Sequence, residues 1–223
     1  LVEARKRGAP IIAVNPMPER ALSEFTEPQD VIQMARFGHT DIASDFLQIR
    51  IGGDLAFLKG MMRALFERDA AGEAVLDHDF IRDNTAGIEA LRADVMAHDW
   101  PDLVAACGLT EAKIRECADI YAKSNATMIA YGMGITQHQR GTELVQQISN
   151  LLLLRGNYGK PGAGIVPVRG HSNVQGDRTV GINEKPTDLY LDRVRDAFGF
   201  EPPRAPGQNT VETVAAMEAG AVR

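Results

Sequence analysis

The stretch TMIAYGMGITQ, Thr127 to Gln137, runs a β-branched and aromatic segment into a turn with two glycines. Behind it, Thr142 to Arg155 (TELVQQISNLLLLR) is amphipathic at helical spacing and closes at Gly156. Strand, glycine turn and helix in that order form the crossover unit of a nucleotide-binding α/β fold. Backbone N–H groups in such a turn, followed by a helix N-terminus, favour a phosphate or diphosphate. As a dinucleotide fingerprint the stretch is incomplete, because Gln137 stands where a third glycine is expected. A plain tight turn with Gln137 and His138 in solvent is the competing reading.

A second unit of the same kind opens the chain. LVEARKRG reads as a helix capped by Gly8, and Ile11 to Val14 reads as a buried strand that stops at Asn15 and Pro16. The segment 17–53 reads as irregular. GGDLAFLKGMMRALFERDAAG then places Leu55, Leu58, Met62, Leu65 and Phe66 on one helical face, with Asp54 as its N-cap. Short helices follow; Thr110 caps one whose inner face is Ile114, Cys117, Ala118 and Tyr121. The expected fold is α/β, a doubly wound, mostly parallel sheet flanked by helices, with a loop-rich C-terminal extension that ends in a short helix from Thr210 to Ala219.

Composition narrows the function classes. With 223 residues, 44% hydrophobic and 24% charged, the chain has enough apolar material for a sizeable core. The net charge of -6 and the lack of a basic, aromatic-interleaved run argue against nucleic-acid binding. The longest apolar run, Leu151 to Leu154, is far short of the roughly 20 residues a membrane helix needs, so no membrane insertion is expected. The two cysteines, Cys107 and Cys117, lack metal-ligand spacing and read as helix-packing residues. No metal held by protein atoms is expected. His39, His78 and His98 read as surface residues.

The glycine-rich segment after Gly156 reads as a loop, and its end, VRGHSNVQGDR (Val168 to Arg178), is the most polar part of it. Arg169 offers a fixed fork of donors suited to a carboxylate or phosphate, and Gly170 and Gly176 allow close backbone approach. Asn173 and Gln175 add amides that donate and accept. Leaving such groups buried and unpaired costs roughly 1 to 3 kcal/mol each, so the segment is either exposed or faces a polar ligand.

Together these motifs resemble the molybdopterin oxidoreductases of the dimethyl sulfoxide reductase superfamily, in particular formate dehydrogenase alpha subunits. The resemblance rests on YGMGITQHQRGTELVQQISNLLLLRGNYGKPGAGIVPVRGHSNVQGDR, and more weakly on IIAVNP and IGGDLAFLKGMM. It implies a molybdenum- or tungsten-bearing bis-molybdopterin guanine dinucleotide, with residues 1–170 as the cofactor-binding α/β domain. Residues 171–223 would be a loop-rich extension beginning a neighbouring domain. On this resemblance Asn15, Pro16, Gly52 and Asp54 contact the guanine nucleotide. Gly132, Met133, Gly134, Thr136 and Gln137 approach the diphosphate and pterin, joined by Gly170, Asn173 and Gln175. Arg169 and His171 are the implied catalytic residues, with Arg169 orienting formate or another small anion.

Three features depart from the family pattern. His171 and Ser172 replace two amides, and Asn15-Pro16 replaces the commoner Asp-Pro. The molybdenum-ligating cysteine or selenocysteine and the iron–sulfur cysteines lie upstream in the family. The chain is therefore expected to be an internal piece, inactive by itself, that works with the remainder of its own chain and an electron-transfer subunit in the cytoplasm. An NAD- or flavin-binding domain, or a non-catalytic module that keeps the fold, are the alternatives.

Overall fold

Gly8, at φ +84°, ends the first helix, α1 (Val2–Lys6), and turns the chain into strand β1 (Ile12–Asn15). The computed structural model describes residues 1–171, 173–183 and 185–222. After β1 come α2 (Arg20–Ser23), β2 (Glu24–Phe25), α3 (Val31–Ala35), β3 (Thr40–Asp41) and β4 (Asp45–Gln48). Strands β2 and β3 pair antiparallel, and β4 returns parallel to β1 in a register from Ile12 with Asp45 to Asn15 with Gln48. The expectation of an irregular 17–53 segment is thus corrected. β4 is only four residues long with Leu47 alone fully buried, too short to show a period of two. Its strand character comes from pairing with a distant segment.

The helices α4 (Asp54–Ala70), α5 (His78–Asn84), α6 (Ile88–Met96), α7 (Trp100–Cys107) and α8 (Glu111–Lys123) follow. Thr110 accepts the Lys113 N–H at 3.2 Å, as its place before an apolar helix predicts. Helix α4 is the centre of the core: Met62, Leu65 and Phe66 are fully buried against Ile114 and Cys117 of α8. Burying each such side chain is worth roughly 1.5 to 3 kcal/mol. Gly60 keeps α8 close, because a Cβ there would lie 3.0 Å from the Ile114 side chain. Both cysteines are free and buried in helices, and burial pushes their thiols up, Cys117 to about 11.

Strand β5 (Met128–Tyr131), the single turn α9 (Met133–Thr136), helix α10 (Gly141–Leu153) and strand β6 (Gly164–Pro167) complete the first compact unit, residues 1–168. Helix α10 buries Leu144, Ile148, Leu151 and Leu152 in the same core. β6 pairs parallel with β5, from Met128 with Gly164 to Tyr131 with Pro167. The segment after Gly156 is therefore not loop throughout. Gly159 and Gly162 lie before the strand, and Ile165 and Val166 pair with a partner 36 residues upstream.

Residues 169–223 form the second unit, with α11 (Val174–Thr179), α12 (Asp188–Phe198) and α13 (Thr210–Glu218). Asn209 and Glu212 close a reciprocal capping box on α13. The fold is mixed α/β, as the sequence predicts, with its parallel strands in two separate pairs flanked by helices. Among the described residues no helix is long and apolar enough to cross a membrane.

Candidate functional site

The C-terminal ends of β1 and β4 lie side by side, and the chain passes from β4 through Gly52, at φ +81°, into the start of α4. Gly53 occupies the cap position and Asp54 is the first helical residue, which corrects the expectation that Asp54 is the N-cap. The cause is close packing: a Cβ on Gly53 would sit 2.7 Å from Cys107 Cα, so only glycine fits where α4 begins against the end of α7. Asn15 Nδ2 donates to Met17 O at 2.7 Å, and Gln48 Nε2 donates to Pro16 O at 3.1 Å. Two amides thus brace the turn that follows β1.

Asp54 is half-buried, and burial raises its carboxyl pKa from its ordinary value. Its own backbone N–H and the field of His138 oppose that rise and do not cancel it. His138 follows the glycine turn, so its field on Asp54 links the start of α4 to the end of that turn. A raised acid pKa adds stability below the unfolded-state value, and that stability is lost as pH rises through the folded value. Ionised Asp54 is consequently a cost to the unliganded fold at neutral pH. Asp54→Asn is expected to raise the melting temperature of cofactor-free protein at pH 7, with the gain shrinking toward about pH 4. Thermal melts across that range check the expectation.

At the second strand pair, Gly132 to Gln137 form a helical turn and not an open glycine loop, with Ile135 N bonded to Gly132 O and Gln137 N to Met133 O. Met133, Gly134, Thr136 and Gln137 are exposed on it. Gly141, which sequence reasoning passed over, holds this turn in place. A Cβ at Gly141 would lie 2.4 Å from Thr136 O, so α10 can start directly against the turn only because residue 141 is glycine. The signal available was a glycine at the first helical position, where it weakens the helix. Val168 N donates to Tyr131 O at 2.7 Å and extends the strand pair to the end of the first unit.

The second unit opens with Arg169, Gly170 and His171, all exposed. Arg169 and His171 make no hydrogen bond or ion pair with a described residue. Asn173 precedes α11 and Gln175 lies in it; both are exposed, and Ser172 lies outside the described residues. Gly176 is committed to an internal contact, since a Cβ there would fall 2.3 Å from Asn173 Oδ1. His98 is not a plain surface residue: its Nε2 is 3.0 Å from Nζ of buried Lys59, which pairs with Asp94. Among the described residues no group of three or more His, Cys, Asp or Glu side chains could hold a metal ion.

Parallel strand ends, a long helix starting at a glycine pair, and a helical turn packed under a second long helix belong to a mixed α/β unit. The molybdopterin oxidoreductase family profile matches residues 14–221, and the chain belongs to that family. It is 52% identical to Protein YdeP of Escherichia coli (strain K12), over 98% of this chain and 29% of that protein. It is 32% identical to formate dehydrogenase H of the same organism, over 81% of this chain and 22% of that protein. In structure it is similar to acetylene hydratase from Pelobacter acetylenicus, with a TM-score of 0.57 at 19% identity over 72% of this chain and 19% of the other. That likeness supports the fold. The chain therefore spans less than a third of the length of these relatives. Family membership implies a molybdopterin cofactor.

Proposed function

We propose that this chain supplies one nucleotide-binding half of a bis-molybdopterin guanine dinucleotide site in a formate dehydrogenase-like oxidoreductase. The observation that carries the reading is Asp54: a half-buried carboxylate, costly when ionised, at the end of two parallel strands and the start of a 17-residue helix. A group held at such cost calls for a donor-bearing ligand. Asn15, Pro16, Gly52 and Asp54 would hold the guanine nucleotide. Gly132, Met133, Gly134, Thr136 and Gln137 would meet the diphosphate and pterin, joined by Gly170, Asn173 and Gln175. Residues 1–170 would form the cofactor domain and 171–223 the start of a neighbour.

When bound, the cofactor supplies two-electron redox chemistry at molybdenum or tungsten. The guanidinium of Arg169 would orient a small anion such as formate, and His171 would set which anion is accepted. The remainder of the enzyme and an electron-transfer subunit complete the reaction in the cytoplasm. An ordinary NAD- or flavin-binding reading requires a glycine at position 137, where this chain has Gln137.

The test is direct. Full-length protein purified from a molybdenum-replete host should carry molybdenum and release guanine nucleotide on acid hydrolysis. Protein that remains free of both under those conditions removes the cofactor assignment.

A further inference from the structure

A cleft of about 310 Å³ lies between the end of α5, the start of α6 and the C-terminal half of α10. Ile81, Leu91 and Leu154 give it apolar walls, and Thr85 is fixed beside them, its N–H and its hydroxyl both donating to Ile81 O at 3.1 and 2.7 Å. Asp94 is the one ionisable group lining it among the described residues, and that carboxylate is paired with Nζ of buried Lys59 at 2.9 Å. The lining is therefore close to neutral. Asn150, at the same cleft, lies nine residues past Gly141, about 14 Å along the helix from the turn assigned to the cofactor. The cleft is separate from that turn.

Two amides line it together. Gln147 is 8% exposed, and its Oε1 accepts from Asn150 Nδ2 at 3.2 Å. That bond uses one end of each amide, and Gln147 Nε2 and Asn150 Oδ1 have no partner among the described residues. Turning both amides over exchanges the roles and leaves the same result, one free donor beside one free acceptor. In an extended strand the N–H and C=O of one residue point to the same side and match such a pair, while a side chain of the strand can enter the apolar part. We infer that the cleft seats an extended segment of the same polypeptide from outside residues 1–223, held by main-chain bonds to Gln147 and Asn150 and by an apolar side chain against Ile81, Leu91 and Leu154. The chain spans less than a third of the length of its relatives, so most of such a protein lies beyond the matched region. A segment of the same polypeptide is present at high effective concentration, so two hydrogen bonds and one side chain hold it where a free amide of that size would dissociate.

The test uses full-length protein with photoreactive benzoylphenylalanine in place of Ala86, an exposed residue that lines the cleft. Irradiation is expected to give a cross-link within one chain, mapped by mass spectrometry to a segment outside residues 1–223. Hydrogen exchange is then compared in wild type, Gln147→Leu and Asn150→Ala. Each variant is expected to speed exchange in the cross-linked segment about tenfold, the effect of one lost hydrogen bond, while α10 keeps its protection. Asn150→Ala, at a half-buried position, decides the matter if Gln147→Leu disturbs the helix. A cross-link only to a second copy or to another protein, or none at all, would overturn the inference. Unchanged exchange of that segment in both variants would overturn it as well, because the amides would then have no part in holding it. Molybdenum and guanine content, measured on the same protein, decide the cofactor assignment separately.

Discussion

Asn157→Ala is expected to lower the unfolding free energy by about 3 kcal/mol, since it breaks both hydrogen bonds of a buried side chain and leaves the Thr127 N–H without an acceptor. Asn157 is 1% exposed. Its Oδ1 accepts the Thr127 N–H at 3.0 Å, and its Nδ2 donates to the Tyr121 hydroxyl at 3.0 Å. That hydroxyl in turn donates to Leu151 O at 2.7 Å, and burial raises its pKa. Thr127 O accepts the Gly164 N–H at 3.0 Å, so the side chain joins the end of α10, through Tyr121, to the residue before β5, whose backbone in turn holds the first residue of β6. Removing it leaves the Thr127 N–H without a partner, and an orphaned donor of that kind costs roughly 1 to 3 kcal/mol by itself.

Urea unfolding of the wild type and variant measures the loss, and hydrogen exchange at Thr127 locates it. Tyr121→Phe should cost less, about 1 to 2 kcal/mol, because Thr127 keeps its acceptor. A change below about 1 kcal/mol in Asn157→Ala would show that water replaces the amide and that the network does not hold the strands. Asn157 follows Gly156 directly in the sequence and carries no site assignment there. The structure gives it a task, holding the start of the strand that leads into the helical turn Met133–Thr136.

Arg169→Ala should retain cofactor and lose turnover, by a factor of ten or more. The guanidinium is exposed and engages no acceptor among the described residues, so its full charge is available to a ligand. A charge-assisted contact to a small anion is worth about 1.5 to 3 kcal/mol, which converts to a factor of about ten to a hundred in rate. Cofactor retention follows because the guanine and diphosphate contacts are assigned to other residues. Arg169→Lys keeps the charge but not the planar fork, and should recover only part of the activity. Molybdenum and guanine content are to be measured beside turnover with formate and other small anions. Equal turnover in wild type and Arg169→Ala on any accepted substrate would reassign Arg169 to holding structure.

Much of the fold is local and was legible. Ile11 to Val14 and Thr127 to Tyr131 are β-branched and aromatic runs bounded by turn residues. α4, α8 and α10 carry apolar stripes that need no knowledge of their partners. Thr110 and Gly8 act at the ends the sequence assigns them, because caps depend on a few neighbouring residues. The parallel pairings were not legible. β4 and β6 are four residues each, and their partners lie 33 and 36 residues upstream, so no short-range pattern announces them.

The site divides the same way. Sequence by itself determined the residue types: the glycine turns, Asp54, Arg169 and the amides, together with the family in which that order recurs. Tertiary structure decided what each is free to do. Gly53 is glycine because backbone at the end of α7 occupies the space of a side chain, and Gly141 because the backbone of the turn just before it does. Gln48, unremarkable in the chain, joins Asn15 only through the parallel register of β1 and β4. Asp54 becomes a costly carboxylate and not a cap because packing of α4 against α7 puts Gly53 at the helix end. Residue chemistry is written along the chain, whereas burial and juxtaposition arise only when segments distant in sequence exclude water between them.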